Sequence, residues 1–163
     1  MEERELQSIA CDWLKRHYPR REYHLEPMVF HGIGITVTQF LHKKFKGKEL
    51  VCIPYYDELP IMPDIIGILK FRKNEDTLMG WIIGECKVNK VNVADFRQAV
   101  SYANVSHAYE AYLFYFGNLS NQVINLIKAG GHLYQGTNRW GKVVTKQLVF
   151  IKYDGVRFTK TIL

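Results

Sequence analysis

The chain reads as an α/β fold in which a mixed central sheet is flanked by helices. Three observations predict it. Apolar residues recur at helical spacing over 2–18, 93–103 and 120–129. Runs rich in Ile, Val and aromatic residues lie at 63–69, 81–88, 111–116 and 146–153 and have strand character. The two kinds of segment alternate, as they do where helices pack on a sheet.

The first helix, 2–18, carries Leu6, Ile9, Ala10, Trp13 and Leu14 on one apolar stripe and stops near Pro19. One turn further back, the stripe meets Glu2 and Glu3, acids that the helix dipole favours in a first turn. Arg20 and Arg21 follow, then an expected strand over 22–26 ended by Pro27. His31-Gly32-Ile33-Gly34 is a glycine turn without the third glycine and Lys-Ser/Thr ending of a phosphate-cradling loop. Residues 36–45 suit either a short helix or a strand. His42 to Lys48 is a charged loop, or a phosphate-contact patch through Lys43, Lys44 and Lys46 with Phe45 offered to a base or sugar. Residues 50–55 read as a strand, and Asp57-Glu58 as an acidic turn near enough in sequence to supplement a site.

The runs at 63–69 and 81–88 are joined by the polar stretch 70–77, which predicts an antiparallel hairpin. Its pairing brings the start of one strand beside the end of the other, so Asp64 meets Glu85. Glu85 and Lys87 differ by two and share a strand face. Charges in such apolar surroundings must be paired or bind metal.

After Lys87, Asn89 or Asn92 caps a helix whose stripe is Val93, Phe96, Ala99 or Val100, and Ala103. Gln98 and Tyr102 lie four apart on one face of it. A strand follows at 111–116. Asn118 or Ser120 caps the next helix, which runs through Ala129 with Val123, Ile124 and Ile127 inward and ends at Gly130-Gly131. A strand near 132–135, a turn-rich loop at 136–141 and a closing strand over 146–153 complete the sheet.

Composition bounds the function. With 163 residues the chain has the size of a single domain with room for a core. No apolar stretch approaches a membrane span, and Met1-Glu2-Glu3-Arg4 does not open a signal peptide. Cys11, Cys52 and Cys86 are odd in number and lack paired spacing. They imply a reducing, cytoplasmic setting without a disulfide framework or a zinc ribbon. The formal net charge of +6 suits a polyanionic partner. No Ser/His/Asp or Cys/His set competes for catalysis, and His107 and His132 lack the spacing of metal ligands.

Pro63-Asp64 followed by Glu85-Cys86-Lys87 resembles the PD-(D/E)XK nuclease superfamily, whose fold is the restriction-endonuclease-like core, αβββαβ. The resemblance spans residues 2–18 and about 50–135, and treats 28–50 and the C-terminal strands as elaborations. It implies that Asp64 and Glu85 hold Mg²⁺, replaceable by Mn²⁺, with the main-chain carbonyl of Cys86 as a further oxygen. It implies that Lys87 serves the attacking water. A lysine of ordinary pKa, about 10.4, is a poor base near neutrality, so orientation and charge stabilisation are its expected roles. Glu3-Arg4-Glu5-Leu6 is similar to the N-terminal helix of archaeal Holliday-junction resolvases, which implies Glu3 at the metal. Gln98 to Tyr102 resembles the Gln-apolar-x-x-Tyr element of RecB-like nucleases, which implies support of the site and of a nucleic-acid strand. Some RecB-like members hold an iron–sulfur cluster through four cysteines; with three, none is expected here.

The expectation is therefore a Mg²⁺-dependent nuclease acting on DNA, with RNA and a homodimer left open. The alternatives are a catalytically silent nucleic-acid-binding or assembly module on the same fold, or an enzyme of unrelated chemistry. Within the nucleases, the alternatives are a junction or flap resolvase and an exonuclease.

Overall fold

The structure is a computed structural model and describes residues 1–18, 28–53, 55–73 and 76–163. The strand expected over 22–26, with Arg20 and Arg21, lies outside the described residues. The architecture is α/β, built on a mixed six-stranded sheet with helices. No helix among the described residues is long and apolar enough to cross a membrane.

Helix α1 (Glu3–His17) has acids in its first turn and Lys15, Arg16 and His17 in its last, both favourable to its dipole. It buries Leu6, Gln7, Ala10, Cys11 and Leu14. The buried stripe is thus turned slightly from the expected one, leaving Ile9 and Trp13 half-buried at its side. Strand β1 (Met28–His31) follows. Gly32 and Gly34, at φ +60° and +68°, then turn the chain as only glycine does easily. Helix α2 (Val37–Lys44) decides between the two readings of 36–45. The Thr36 hydroxyl accepts from the Gln39 N–H at 3.3 Å, and the Gln39 carboxamide accepts from the Thr36 N–H at 3.0 Å. This capping box satisfies two donors that a helix start otherwise leaves open.

Among the described residues of 50–55, the expected strand does not form. A single helical turn, α3 (Lys48–Val51), occupies its start. Leu50 and Ile53, three apart, are buried while Val51 is 63% exposed. That burial has helical period, and a strand would have turned Leu50 and Ile53 to opposite faces.

Strands β2 (Ile65–Lys73) and β3 (Asp76–Lys87) form the expected antiparallel hairpin, but the ladder runs from Ile65↔Gly84 to Lys73↔Asp76, so 70–73 and 76–77 of the polar stretch are strand and not turn. Helix α4 (Val93–Ser106) starts at Asn92, whose side chain and that of Asp95 form a second capping box. It ends at His107 in the left-handed region. Strand β4 (Glu110–Tyr115), helix α5 (Asn121–Lys128, capped by Ser120) and strand β5 (Leu133–Thr137) follow as anticipated. The single closing strand is instead two, β6 (Val143–Gln147) and β7 (Val149–Tyr153), with a further strand β8 (Phe158–Lys160). The break falls at Leu148, which is buried and donates its N–H to the His132 carbonyl at 2.9 Å. It is needed because β6 pairs with β5 in a separate two-stranded sheet while β7 pairs with β4.

The main sheet runs β1-β2-β3-β4-β7-β8. Its β1, β2 and β3 are antiparallel, β3, β4 and β7 are parallel, and β8 is antiparallel to β7. Both faces are covered, which explains why β2 and β3 read as nearly continuous apolar runs. Ile66, Ile68, Trp81 and Ile83 pack with Val37 and Leu41 of α2, Phe96 and Ala99 of α4 and Val123 of α5. Ile65, Leu69, Ile82 and Cys86 pack on the other side with Leu6, Ala10 and Leu14 of α1.

Gly84 pins the hairpin where it meets the charged residues. A Cβ there would stand 3.1 Å from Ile65 Cβ and 3.4 Å from Phe114 Cε2. The Ile65 Cβ is tied to backbone and yields little. Gly84→Ala is expected to cost about 1–3 kcal/mol by overpacking, read from the denaturation midpoint.

Candidate active site

The hairpin register decides which residues meet. Ile65 faces Gly84, so the next pair outward is Asp64 with Glu85. The Asp64 N–H lies 3.4 Å from Glu85 Oε1, and the Cys86 N–H donates to Asp64 Oδ2 at 2.8 Å. Across the other edge of β2, the Asp64 carbonyl accepts from the Gly32 N–H at 3.1 Å. Lys87, two beyond Glu85, has its Nζ 3.8 Å from Glu85 Oε2 and 4.0 Å from Asp95 Oδ1 on α4. Asp64, Glu85 and Lys87 are thus brought together as the hairpin pattern implied.

Cys86 turns its thiol into the α1 side of the core, away from Glu85 and Lys87. Its N–H points toward Asp64, whereas the Lys87 carbonyl accepts from Phe116 N on the β4 side at 3.0 Å. Amide and carbonyl of one strand residue point to the same edge, so the Cys86 carbonyl lies on the Asp64 edge. Burial, with the nearby carboxylates of Asp64, Glu85 and Glu3, pushes the Cys86 thiol well above its ordinary range. A thiolate nucleophile is therefore disfavoured.

The electrostatics concentrate on Glu85, which is 2% exposed. Burial, reinforced by the Asp64 carboxylate, pushes its pKa up to about 8 against the opposing pull of Lys87. Burial also raises Asp64, although the Cys86 N–H and the Lys87 ammonium work the other way. For Lys87, burial disfavours the ammonium, but Glu85, Asp64, Glu3 and Asp95 together outweigh it and raise its pKa. The lysine is held as a cation, and the two acids are short of positive charge.

Other expected residues lie further out. Glu3 is exposed on the first turn of α1, and its charge is felt at Glu85, Cys86 and Lys87. Among the described residues, no hydrogen bond or ion pair joins it to Asp64 or Glu85. Gln98 donates to the Tyr102 hydroxyl at 3.1 Å, and both share the α4 face that begins with Asp95, the residue beside Lys87. Lys43, Lys44 and Lys46 are exposed at the C-terminal end of α2 and just beyond. Lys44 lies 4.9 Å over the Phe30 ring on edge strand β1, and none of the three contacts Asp64 or Glu85 among the described residues. Phe45 is not available to a base: at 4% exposed it belongs to the core. Asp57 is paired with His42 at 2.8 Å instead of supplementing the site.

Two residues at the site were not anticipated, Gln7 and Asp95. Gln7 Nε2 donates to Asp64 Oδ1 at 2.9 Å. Its signal was available: a polar residue four after Glu3, on the side of α1 marked by Ala10 and Leu14. Asp95 carried a signal in Asn92-Val93-Ala94-Asp95, a capping-box spacing just after the Glu-Cys-Lys run.

Among the described residues, no three His, Cys, Asp or Glu side chains converge closely enough to hold a metal. The side-chain oxygens that meet here are those of Asp64 and Glu85. Compared with family models, curated proteins and solved structures, the chain matches none.

Proposed function

We propose that the chain is a Mg²⁺-dependent nuclease that hydrolyses phosphodiester bonds of DNA at the Asp64–Glu85–Lys87 cluster. The observation that carries this reading is the convergence of the buried Glu85 carboxyl, the half-buried Asp64 carboxyl and a cationic lysine at one end of the hairpin. The order α1, β1, β2, β3, α4, β4 also supports the restriction-endonuclease-like fold that the motif resembles, with α2 and α3 as an insertion between β1 and β2. The first of its three strands is then β1 rather than residues 50–55.

The donor set fits a hard dication. Two carboxylates and the Cys86 carbonyl offer only oxygen, and three protein ligands leave places for water, which Mg²⁺ retains readily. The shortage of positive charge at Glu85 and Asp64 is what a dication would relieve. When bound, Mg²⁺ neutralises phosphate oxygens and acidifies water.

The chain's own groups do the remainder. Lys87, held between Glu85 and Asp95, orients the attacking water and stabilises negative charge growing on the phosphate. Its raised pKa argues against its acting as the base. Asp64 and Glu85 would hold the metal, and their register is fixed because they lie side by side at the end of one hairpin. The Gln98–Tyr102 pair extends from Asp95 along α4 and offers polar contacts to a strand leaving the site.

The test offers supercoiled plasmid, linear duplex, single strand, flap, four-way junction and RNA, with Mg²⁺, Mn²⁺ or EDTA. Metal-dependent cleavage by the wild type, lost in Asp64→Ala with its folding intact, is the expected result. Binding without cleavage on every substrate would instead identify a silent nucleic-acid-binding module. Unchanged cleavage by Asp64→Ala would refute the site.

A further inference from the structure

We propose that Gln7 is a positioning residue for this centre: its carboxamide fixes the plane of the Asp64 carboxylate and thereby sets the affinity for the metal. The inference rests on the reading of the cluster as a metal-dependent nuclease centre.

Gln7 is the one polar side chain on the buried stripe of α1, 9% exposed beside Leu6, Ala10, Cys11 and Leu14. A carboxamide in that position is costly unless it is hydrogen-bonded. Its bond goes to Asp64 Oδ1, across 57 positions of sequence, at 2.9 Å. Asp64 precedes the first residue of β2, so the regular ladder does not fix its side chain. Two donors do so from different elements: the Cys86 N–H of β3 holds Oδ2, and the Gln7 amide of α1 holds Oδ1. With both oxygens held, rotation of the carboxylate about its own axis is blocked. Each oxygen keeps a second lone pair for a ligand.

The residue type matters. A lysine or arginine at position 7 would bring a charge that competes with a dication. A neutral amide orients Asp64 without neutralising it. Second-sphere hydrogen bonds of this kind typically govern metal affinity by 10–100-fold. The neighbourhood is also close: a Cβ on Gly32, whose N–H bonds the Asp64 carbonyl, would lie 3.9 Å from Gln7 Oε1.

The experiment titrates Mn²⁺ alone into the full chain by calorimetry, comparing wild type, Gln7→Leu and Asp64→Ala, with melting in EDTA as the folding control. Gln7→Leu is expected to bind Mn²⁺ roughly 10–100-fold more weakly and to melt in EDTA no lower than wild type. The Mg²⁺ concentration for half-maximal cleavage should rise by the same factor, with the rate at saturating Mg²⁺ little changed. Mn²⁺ affinity within about twofold of wild type would overturn the proposal, since that lies below the range such bonds govern. A role in packing alone would show as lower melting with unchanged affinity, and would overturn it too. If Gln7→Leu does not fold, Gln7→Met, which keeps the unbranched shape, is judged by the same outcomes. Wild type binding no more Mn²⁺ than Asp64→Ala would instead defeat the reading of the centre itself.

Discussion

Glu85→Gln is expected to raise the melting temperature of the metal-free protein at pH 8 and to leave it nearly unchanged at pH 5. The carboxyl of Glu85 titrates near pH 8 in the folded chain, raised first by burial and then by Asp64, but near 4.3 when unfolded. Between those values the folded state holds a proton that the unfolded state has released, so stability falls as pH rises through this window. Above it, a charged Glu85 sits buried beside a second carboxylate, with a single cation 3.8 Å away. Removing that charge should recover on the order of 2–4 kcal/mol at pH 8, or roughly 5–15 °C in a domain of this size. At pH 5 the protonated acid and the amide are near equivalents. Asp64, also raised by burial, adds to the slope with the same sign.

Metal should invert this pattern. Mg²⁺ or Mn²⁺ is expected to stabilise the wild type at pH 8, to release protons on binding near neutrality, and to do neither for Glu85→Gln. The substituted protein is therefore predicted to be more stable than wild type and inactive. A melting temperature that falls at pH 8 would mean that the Glu85–Lys87 pair is a structural ion pair that stabilises the fold.

Lys87→Met should reduce single-turnover cleavage in saturating Mg²⁺ by about 10²–10³-fold. Methionine preserves the unbranched stem and removes the cation. Because the surrounding carboxylates hold the Lys87 pKa up, its ammonium persists across the assay range. At saturating Mg²⁺, where Glu85 has already released its proton, the wild-type rate should then show no step from a lysine turning into a base. Lys87→Arg keeps the charge but not its compact geometry, and should retain part of the rate. A Lys87→Met protein cutting at wild-type speed would remove the lysine from the mechanism.

How much was legible in the sequence depended on how local the controlling forces are. The β2–β3 hairpin was readable because apolar runs of strand type flank a polar stretch. With an antiparallel pairing, the meeting of Asp64 and Glu85 follows from counting. Helix α1 is legible from its period alone, and α4 and α5 from period and cap residues together. What failed depended on partners remote in sequence. Leu50 to Ile53 had strand-like composition, yet its burial is helical because the α2–α3 segment packs over the sheet face beneath it. Phe45 lay in a run of lysines, and only the tertiary core shows why the ring turns inward. The split at Leu148 reflects a competition between β4 and β5 for adjacent pieces of chain. Gln7 is hidden from a reading by apolar period because it is the polar residue inside the buried stripe of α1.

The measurement that tests the central claim most directly is the location of Mn²⁺ by anomalous diffraction from crystals soaked at saturating metal. The account predicts a peak between the Asp64 and Glu85 carboxylates, about 2.0–2.6 Å from an oxygen of each, which disappears in Glu85→Gln crystals. A peak elsewhere, or none at that position, would contradict it.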